Sequence, residues 1–221
     1  MTADARQPPD VRWALLLPIK PPAAAKSRLA LASADDRAAL VMAMAMDVAT
    51  VALACPLVEL VLVVGDSPEG LEPLQRLGAA VVVDPAGRGL NASLRYAAGL
   101  AAARDSSYGI ASLVADVAAV TVDQLTRALE AAATAGTAFV PDAAGRGTTF
   151  VGARQWGSFL PEYGRHSRRR HREAGFVELD LDDVPGLRLD VDTLADLTAL
   201  QSLGPGPRTL TLLERLAGQI Q

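Results

Sequence analysis

Residues 13–30, WALLLPIKPPAAAKSRLA, decide the fold of this chain. The apolar run Trp13–Leu17 predicts a buried strand, which breaks at Pro18 because proline supplies no backbone N–H. The loop that follows carries three cations: Lys20, Lys26 and Arg28. An ammonium suits a point contact to a phosphate, and a guanidinium suits a bidentate one. We therefore predict that this loop holds a phosphorylated ligand; the alternative is a solvated, charged surface loop.

Composition limits the class of protein. The chain has 221 residues, 50% of them hydrophobic, which is enough core for a single α/β domain. Its formal net charge of −4 argues against a protein that binds nucleic acid electrostatically. The single cysteine, Cys55, excludes an intrachain disulfide and a cysteine-based zinc cluster. The polar start and the short first apolar run predict neither a signal peptide nor a membrane span. We expect a cytoplasmic protein with no nucleic-acid or membrane partner.

Strands and helices alternate along the first part of the chain. Strands are predicted at 13–17, 58–64, 80–83, 109–115 and 137–140, and helices at 34–54, 68–77, 91–104 and 122–136. This alternation predicts an α/β fold of three layers, α/β/α, around a mostly parallel sheet. We assign 13–203 to one domain, 1–12 to a flexible tail and 204–221 to a C-terminal helical extension. The helix of that extension offers a face for a homodimer.

Acidic residues follow several of the predicted strands. Ligands of parallel α/β sheets bind outside the carboxyl ends of the strands, and here those ends carry Lys20, Asp66, Asp84 and Asp116. Two later strands are predicted at 176–181 and 187–189. The second is followed by Asp190-Val191-Asp192, whose carboxylates would share one face. Hard carboxylate oxygens of this kind bind Mg²⁺. The alternative is that these aspartates form turns or precede helices.

Two further segments carry groups suited to an anion. Gly147-Thr148-Thr149 offers two hydroxyls and free backbone amides, and Gly164–Ser167 offers a turn and a hydroxyl where a helix begins. Five arginines surround the second segment: Arg165, Arg168, Arg169, Arg170 and Arg172. Cations and carboxylates together are the apparatus of phosphoryl or nucleotidyl transfer.

Six motifs in order resemble one known family. They are PIKPPAAAKSRLA, GRGLNASL, a strand ending in ADV, GRGTTFVGA, YGRHSRRRHREAG and LRLDVDTLADL, and they cover about residues 13–203. The chain is similar in these motifs to the phosphoenolpyruvate and 2-phospho-L-lactate guanylyltransferases of coenzyme F(420) biosynthesis. The resemblance implies a single-domain, Rossmann-like nucleotidyltransferase. It implies transfer of GMP from GTP to a three-carbon phospho-acid, release of pyrophosphate, and use of the product by a downstream phospho-acid transferase.

The resemblance also implies roles for individual residues. Three groups are implied: Lys20, Lys26, Arg28, Gly89, Leu90 and Asn91 for the nucleotide; Thr148, Gly164 and Ser167 for the acceptor acid; and Asp116, Asp190 and Asp192 for Mg²⁺, with Mn²⁺ as a substitute. Lys26, Arg28 and Asp116 would be the catalytic residues. The family usually has Leu-Pro after the strand-end aspartate, whereas this chain has Val117-Ala118. A related nucleotidyltransferase with another base or acceptor, and a non-catalytic nucleotide-binding module, are the alternatives.

Overall fold

The computed structural model describes residues 11–19, 33–84 and 87–217. The loop cations Lys20, Lys26 and Arg28 therefore lie outside the described residues, and their predicted contacts with phosphate stay predictions. The described part of the chain forms a seven-stranded sheet. Its strands are β1 (Trp13–Pro18), β2 (Val58–Gly65), β3 (Ala80–Val83), β4 (Gly109–Leu113), β5 (Thr137–Pro141), β6 (Thr148–Ala153) and β7 (Val177–Glu178).

The sheet is mostly parallel, as predicted. Its strand order is β3-β2-β1-β4-β6-β5-β7. Only β6 runs the other way, antiparallel to both of its neighbours, β4 and β5. Because of this reversal, β6 starts at the same edge of the sheet at which β4 and β5 end. Thr148 at the start of β6 and the residues after Leu113 at the end of β4 are thereby brought to one edge.

Helices cover both faces of the sheet. They are α1 (Ala34–Ala54), α2 (Glu72–Leu77), α3 (Leu90–Arg104), α4 (Val122–Ala135), α5 (Ser167–Glu173), α6 (Pro185–Arg188), α7 (Leu194–Leu203) and α8 (Pro207–Leu216). Side chains of a strand alternate between the two faces. Leu15 and Leu17 of β1 accordingly pack in the cluster formed with α1 and α4, and Leu16 packs in the cluster formed with α3. The three-layer arrangement predicted from the alternation is confirmed.

Helix α1 is the longest helix of the described chain, and both its sides are apolar. Its N-terminus is capped by Ser33, whose hydroxyl oxygen accepts a hydrogen bond from the Asp36 N–H. One side, including Val48, packs on the sheet, and the other side, including Leu40 and Met44, packs with α7 and α8. This double packing explains why α1 is apolar and long enough, by length and composition alone, to cross a membrane. In this structure it is a core helix.

The C-terminal helix α8 is part of this packing. Leu212, Leu213 and Leu216 are buried in the cluster that also contains Leu40 and Met44 of α1. The first N–H groups of α8 are capped by the buried carboxylate of Asp47 in α1, which accepts hydrogen bonds from the backbones of Arg208 and Thr209. The apolar face that we considered for a homodimer is thus largely covered within the chain.

Two predicted strands take another form. Residues 187–189 do not form a strand, since Pro185–Arg188 is a short helix. The prediction was wrong because the backbone N–H of Leu187 bonds to the Gln124 side chain, and because Gly186 lies against the carbonyl of Ala119 so closely that a Cβ would be 2.0 Å from that oxygen. The strand predicted at 176–181 is shortened to two residues, β7.

Candidate active site

A cavity of about 320 Å³ opens at the edge of the sheet where β1 and β4 end and β6 begins. Pro18 and Ile19 of the first strand line it, and Val41 and Met44 of α1 contribute an apolar wall. Seven of the residues predicted from the sequence also line it: Leu90, Asp116, Thr148, Gly164, Ser167, Asp190 and Asp192. Residues spread over a hundred positions of the sequence therefore meet in one concave site at the edge that the parallel-sheet rule predicts.

The carboxylates of Asp116, Asp190 and Asp192 form one wall of the cavity. Burial, together with the neighbouring carboxylates of Asp116, Asp142 and Asp192, raises the pKa of Asp190 to about 7. Within residues 11–19, 33–84 and 87–217, no three acidic, histidine or cysteine side chains are grouped so as to hold a metal ion as they stand. The donor set nevertheless fits a hard divalent cation, because it consists of carboxylate oxygens whose mutual repulsion such a cation would relieve.

The Asp190 and Asp192 carboxylates reach the cavity from a loop rather than from a strand. This loop joins α6 to α7, and it is fixed at Val191, whose N–H donates to the carbonyl of Asp116. Thr193 and Asp196 then form a capping box at the start of α7. Asp190 and Asp192 therefore precede a helix and also line the cavity. The prediction that they bind a metal and the alternative that they precede a helix are compatible.

The loop after Asp116 is buried and tightly held although it lacks the Leu-Pro of the resemblance. Val117 and Ala118 are buried, and Val117 closes a turn by accepting a hydrogen bond from the Val120 N–H. The Ala118 carbonyl accepts a second hydrogen bond from the Gly206 N–H. Packing and hydrogen bonds thus supply the rigidity that the proline would have given.

We call the part of the cavity that is lined by the predicted acceptor residues the acceptor side. It begins with a tight turn between β5 and β6. The carboxylate of Asp142 accepts hydrogen bonds from the backbones of Arg146 and Gly147. A Cβ at Gly147 would lie 2.4 Å from that carboxylate, so glycine is required at this position. The turn delivers Thr148, which is buried, to the cavity wall.

Tyr163 and Gly164 form the opposite part of the acceptor side. The Tyr163 side chain is buried, and its hydroxyl lies 2.8 Å from that of Ser112 in β4. Burial raises the pKa of the Tyr163 phenol, so the group stays protonated. The backbone of Tyr163 is held by the Asn91 side chain, which donates to its carbonyl at 3.0 Å and accepts from its N–H at 2.9 Å. Gly164 follows with φ +126°, a conformation that favours glycine.

The nucleotide residues predicted in the GRGLN motif are placed differently from one another. Leu90 lines the cavity, and Gly89 caps α3 beside it with φ +86°. Asn91 is not among the lining residues, because its amide is used to hold Tyr163. The strand-end Asp84 is also structural: it is buried, accepts from the Ser93 hydroxyl and pairs with Arg88.

Four of the five arginines predicted around the acceptor form ion pairs with glutamates. Arg168 and Arg172 pair with Glu178, Arg170 pairs with Glu162, and Arg169 pairs with Glu173. None of the five predicted arginines is among the residues that line the cavity in the described chain. The groups that line the acceptor side in the described chain are hydroxyls and backbone instead.

Sequence reasoning missed two residues of the site, Tyr163 and His171. His171 is fully buried on α5, and its ring bonds to Thr148 and to the backbone of Glu162. The signal in the sequence was weak, since both residues belong to a basic segment that is typical of a solvated surface. The one indication was the i, i+4 spacing of Ser167 and His171, which places both residues on one side of a helix and is consistent with their burial.

A mostly parallel sheet covered on both faces, with carboxylates and hydroxyls gathered in a cavity at one edge, defines a Rossmann-like α/β protein with a ligand site at that edge. In agreement with this class, the structure matches that of a protein from Desulfovibrio desulfuricans G20 described as a nucleotide-diphospho-sugar transferase, with a TM-score of 0.69 at 18% identity over 95% of this chain and 97% of the other. Residues 13–220 match the family described as "Guanylyl transferase CofC like". The chain belongs to this family.

Curated relatives agree over nearly their whole length. A phosphoenolpyruvate guanylyltransferase of Streptomyces coelicolor is 45% identical over 95% of this chain and 100% of its own length. A protein of the same name from Streptomyces scabiei is 46% identical over 93% of this chain and 98% of its own length. The chain is thus similar to complete enzymes, and the family membership agrees with the resemblance found in the six motifs.

Proposed function

We propose that this chain transfers GMP from GTP to the phosphate of phosphoenolpyruvate, with release of pyrophosphate, as a step in coenzyme F(420) biosynthesis. The observation that carries the proposal is its similarity to phosphoenolpyruvate guanylyltransferases over almost the entire chain. The single cavity that gathers the predicted acids, hydroxyls and Leu90 is consistent with it.

In the proposed reaction, an oxygen of the acceptor phosphate forms a bond to the α-phosphorus of GTP. The bond from that phosphorus to the oxygen that bridges to the β-phosphorus breaks, and pyrophosphate leaves with that oxygen. The protein needs no covalent intermediate for such a step, so its contribution is to position two anions and to stabilise developing charge.

We assign the residues as follows. Lys20, Lys26 and Arg28 hold the phosphates of GTP, and Gly89 and Leu90 lie near the guanosine. Thr148, Gly164 and Ser167 receive the acceptor acid. Hydroxyl and backbone N–H donors suit the carboxylate and phosphate oxygens of such an acid.

Asp116, Asp190 and Asp192 are the residues that would hold Mg²⁺, or Mn²⁺ in its place. The metal would neutralise phosphate charge. Without it, three carboxylates would face the phosphates of two substrates, and their repulsion would oppose binding of both. The described residues fit this role by their chemistry. The pKa of Asp190 is raised first by burial and then by the neighbouring carboxylates, and a bound cation would oppose both effects.

A product assay tests the proposal. The protein is incubated with Mg²⁺, GTP and phosphoenolpyruvate, and pyrophosphate release and product mass are followed; ATP and CTP replace GTP in the controls, and EDTA replaces the metal. We expect turnover that requires GTP and the metal. Because the product is an activated phospho-acid, a downstream phospho-acid transferase is its expected consumer, and including such an enzyme protects the assay against loss of an unstable product.

The acceptor is tested in parallel with 2-phospho-L-lactate. The two acids differ in one carbon–carbon double bond. A higher kcat/KM with phosphoenolpyruvate is expected, and a preference for phospholactate would reassign the acceptor while leaving the guanylyl transfer intact. Turnover with CTP or with a sugar phosphate would favour a related nucleotidyltransferase, and binding of GTP without turnover would favour a nucleotide-binding module.

A further inference from the structure

The buried His171 is not explained by the proposed roles. Its ring stacks on Phe139 with centroids 5.4 Å apart and meets Tyr163 and Phe176 edge-on at 5.6 Å each. A histidine that served only to fill this aromatic cluster would need no specific hydrogen bonds. This one has a partner at each ring nitrogen, and one of those partners, Thr148, lines the cavity.

The hydrogen bonds fix the tautomer of the ring. The backbone N–H of Glu162 points at Nε2 at 2.9 Å. A backbone N–H can only donate, so Nε2 carries the lone pair. In a neutral imidazole the proton is then on Nδ1. Nδ1 lies 3.0 Å from Oγ1 of Thr148, so Nδ1–H donates and Oγ1 accepts.

The ring is neutral because Nε2, the only nitrogen that could take a second proton, already accepts a hydrogen bond from the Glu162 N–H. A proton on Nε2 would face the Glu162 N–H, and burial opposes the charge. Burial is the main cause that lowers the pKa of His171 to about 4; the nearby Arg170 lowers it further, whereas Glu162 and the backbone at Ser167 act in the opposite direction. The tautomer is therefore stable throughout the neutral range.

The tautomer of His171 determines how the Thr148 hydroxyl can form hydrogen bonds. Its oxygen accepts the hydrogen bond from Nδ1–H, so its own O–H proton is not donated to His171 and remains for another acceptor. Since Thr148 is buried and borders the cavity, an oxygen of a bound molecule is well placed to receive that proton.

We infer that His171 is a positioning residue that turns the Thr148 hydroxyl into a hydrogen-bond donor for a carboxylate or phosphate oxygen of the acceptor acid. This inference rests on the proposed function in one respect, the assignment of Thr148 to the acceptor. A donor fixed in this way suits an anionic oxygen, which only accepts hydrogen bonds and binds a donor more strongly than a neutral oxygen does.

Two substitutions separate the two ring nitrogens. In His171→Asn the side-chain amide reaches the position of Nδ1 and can donate to Thr148, but it leaves the Glu162 N–H unpaired. In His171→Gln the amide reaches the position of Nε2 and can accept from Glu162, but it leaves Thr148 without its donor. We expect His171→Gln to raise the KM for the acceptor about tenfold, equivalent to about 1.4 kcal/mol, with the KM for GTP little changed. His171→Asn should recover most of the loss.

A double-mutant cycle shows whether His171 acts through Thr148. Thr148→Val removes the hydroxyl and keeps the shape. If the inference holds, His171→Gln adds little to the acceptor KM of Thr148→Val, because the group that it orients is already absent. Additive effects, or equal increases in the KM values for GTP and acceptor, would overturn it. Thermal unfolding of each variant identifies those that simply fail to fold.

The tautomer is measured on the unmodified protein by two-bond ¹⁵N–¹H correlation spectra of its histidines. The chain has two histidines, and His166→Gln assigns the signals. We expect His171 to show a protonated Nδ1 and a bare Nε2 at neutral pH. A protonated Nε2 would contradict the inference directly. This readout needs no turnover, so it separates failure of the inference from failure of the proposed guanylyl transfer.

Discussion

The backbone N–H of Gly206 donates a hydrogen bond of 2.8 Å to the carbonyl of Ala118. This contact joins the entry of the C-terminal helix to the loop that carries Asp116. The family resemblance places a proline in that loop, which would restrict it through its own ring, whereas this chain restricts it from outside. The C-terminal helix therefore belongs to the support of the site.

Gly206→Ala tests this support. A Cβ at Gly206 would lie 2.5 Å from the Cβ and Cγ of Asp47, so α8 has to move away from α1. We expect a loss of about 1–3 kcal/mol in the free energy of unfolding, measured with urea, together with lower turnover. Gly157→Ala is the matched control, because no atom lies within 4 Å of its added Cβ. Equal stability of the two variants would contradict the role given to this contact.

Asp116→Asn tests the proposed role of the carboxylate wall in holding Mg²⁺. The change keeps the shape and removes the charge, so we expect turnover to fall at least about a hundredfold. Pyrophosphate release over a range of Mg²⁺ concentrations is the measurement. Asp182→Asn, at an exposed acid outside the cavity, serves as the control. Full activity of Asp116→Asn would remove Asp116 from the metal site.

Ser167→Ala tests the proposed binding of the acceptor acid at the acceptor side of the cavity. Ser167 is buried at the start of α5 and borders the cavity. Loss of one hydrogen bond to a charged group corresponds to about 1.5–3 kcal/mol, so the KM for the acceptor should rise about tenfold or more while that for GTP stays similar. Ser202→Ala on the exposed part of α7 is the control. If both KM values rise equally, the acceptor pocket has been misplaced.

Asn91→Asp distinguishes two roles of the GRGLN motif. An aspartate still accepts from the Tyr163 N–H, but it turns a carboxylate oxygen toward the Tyr163 carbonyl, where the amide donated. We expect the free energy of unfolding to fall by about 1–3 kcal/mol, and the KM for the acceptor to rise because Gly164 follows Tyr163. A rise in the KM for GTP alone, with stability unchanged, would instead support the contact with guanosine that the sequence predicted.

Asp190 predicts a dependence of stability on pH. Its pKa is about 7 in the folded protein against an ordinary value of 3.8, so between these values the folded state holds a proton that the unfolded state releases. The contribution of Asp190 to the free energy of unfolding therefore falls as pH rises through this window, and it is constant above it. In metal-free buffer, Asp190→Asn should gain stability relative to the parent protein as pH rises. A constant difference between Asp190→Asn and the parent protein would show that the Asp190 carboxyl is not perturbed.

The sequence predicts those parts of the fold that depend on neighbours in the chain. Helix α1 begins and ends where its capping serine and its apolar pattern indicate, and Asp116 lies at the strand-end edge that the parallel-sheet rule predicts. The sequence does not predict that β6 is antiparallel to β4, which brings Thr148 to the same edge. It does not predict α6, whose turn depends on a glutamine 63 residues away. Nor does it predict the hydrogen bond of Asn91 with Tyr163, 72 residues apart, or that of Thr148 with His171. These contacts exist only after the sheet has assembled.

The reversed strand β6 has a consequence for how such enzymes can diversify. It brings the acceptor side from the second half of the chain, through Thr148 and the turn before it, while Leu90 and the end of β1 come from the first half. Substitutions that reshape one side therefore need not disturb the backbone of the other. A lineage could exchange one small acid for another by point changes between residues 142 and 175 and still keep its nucleotide.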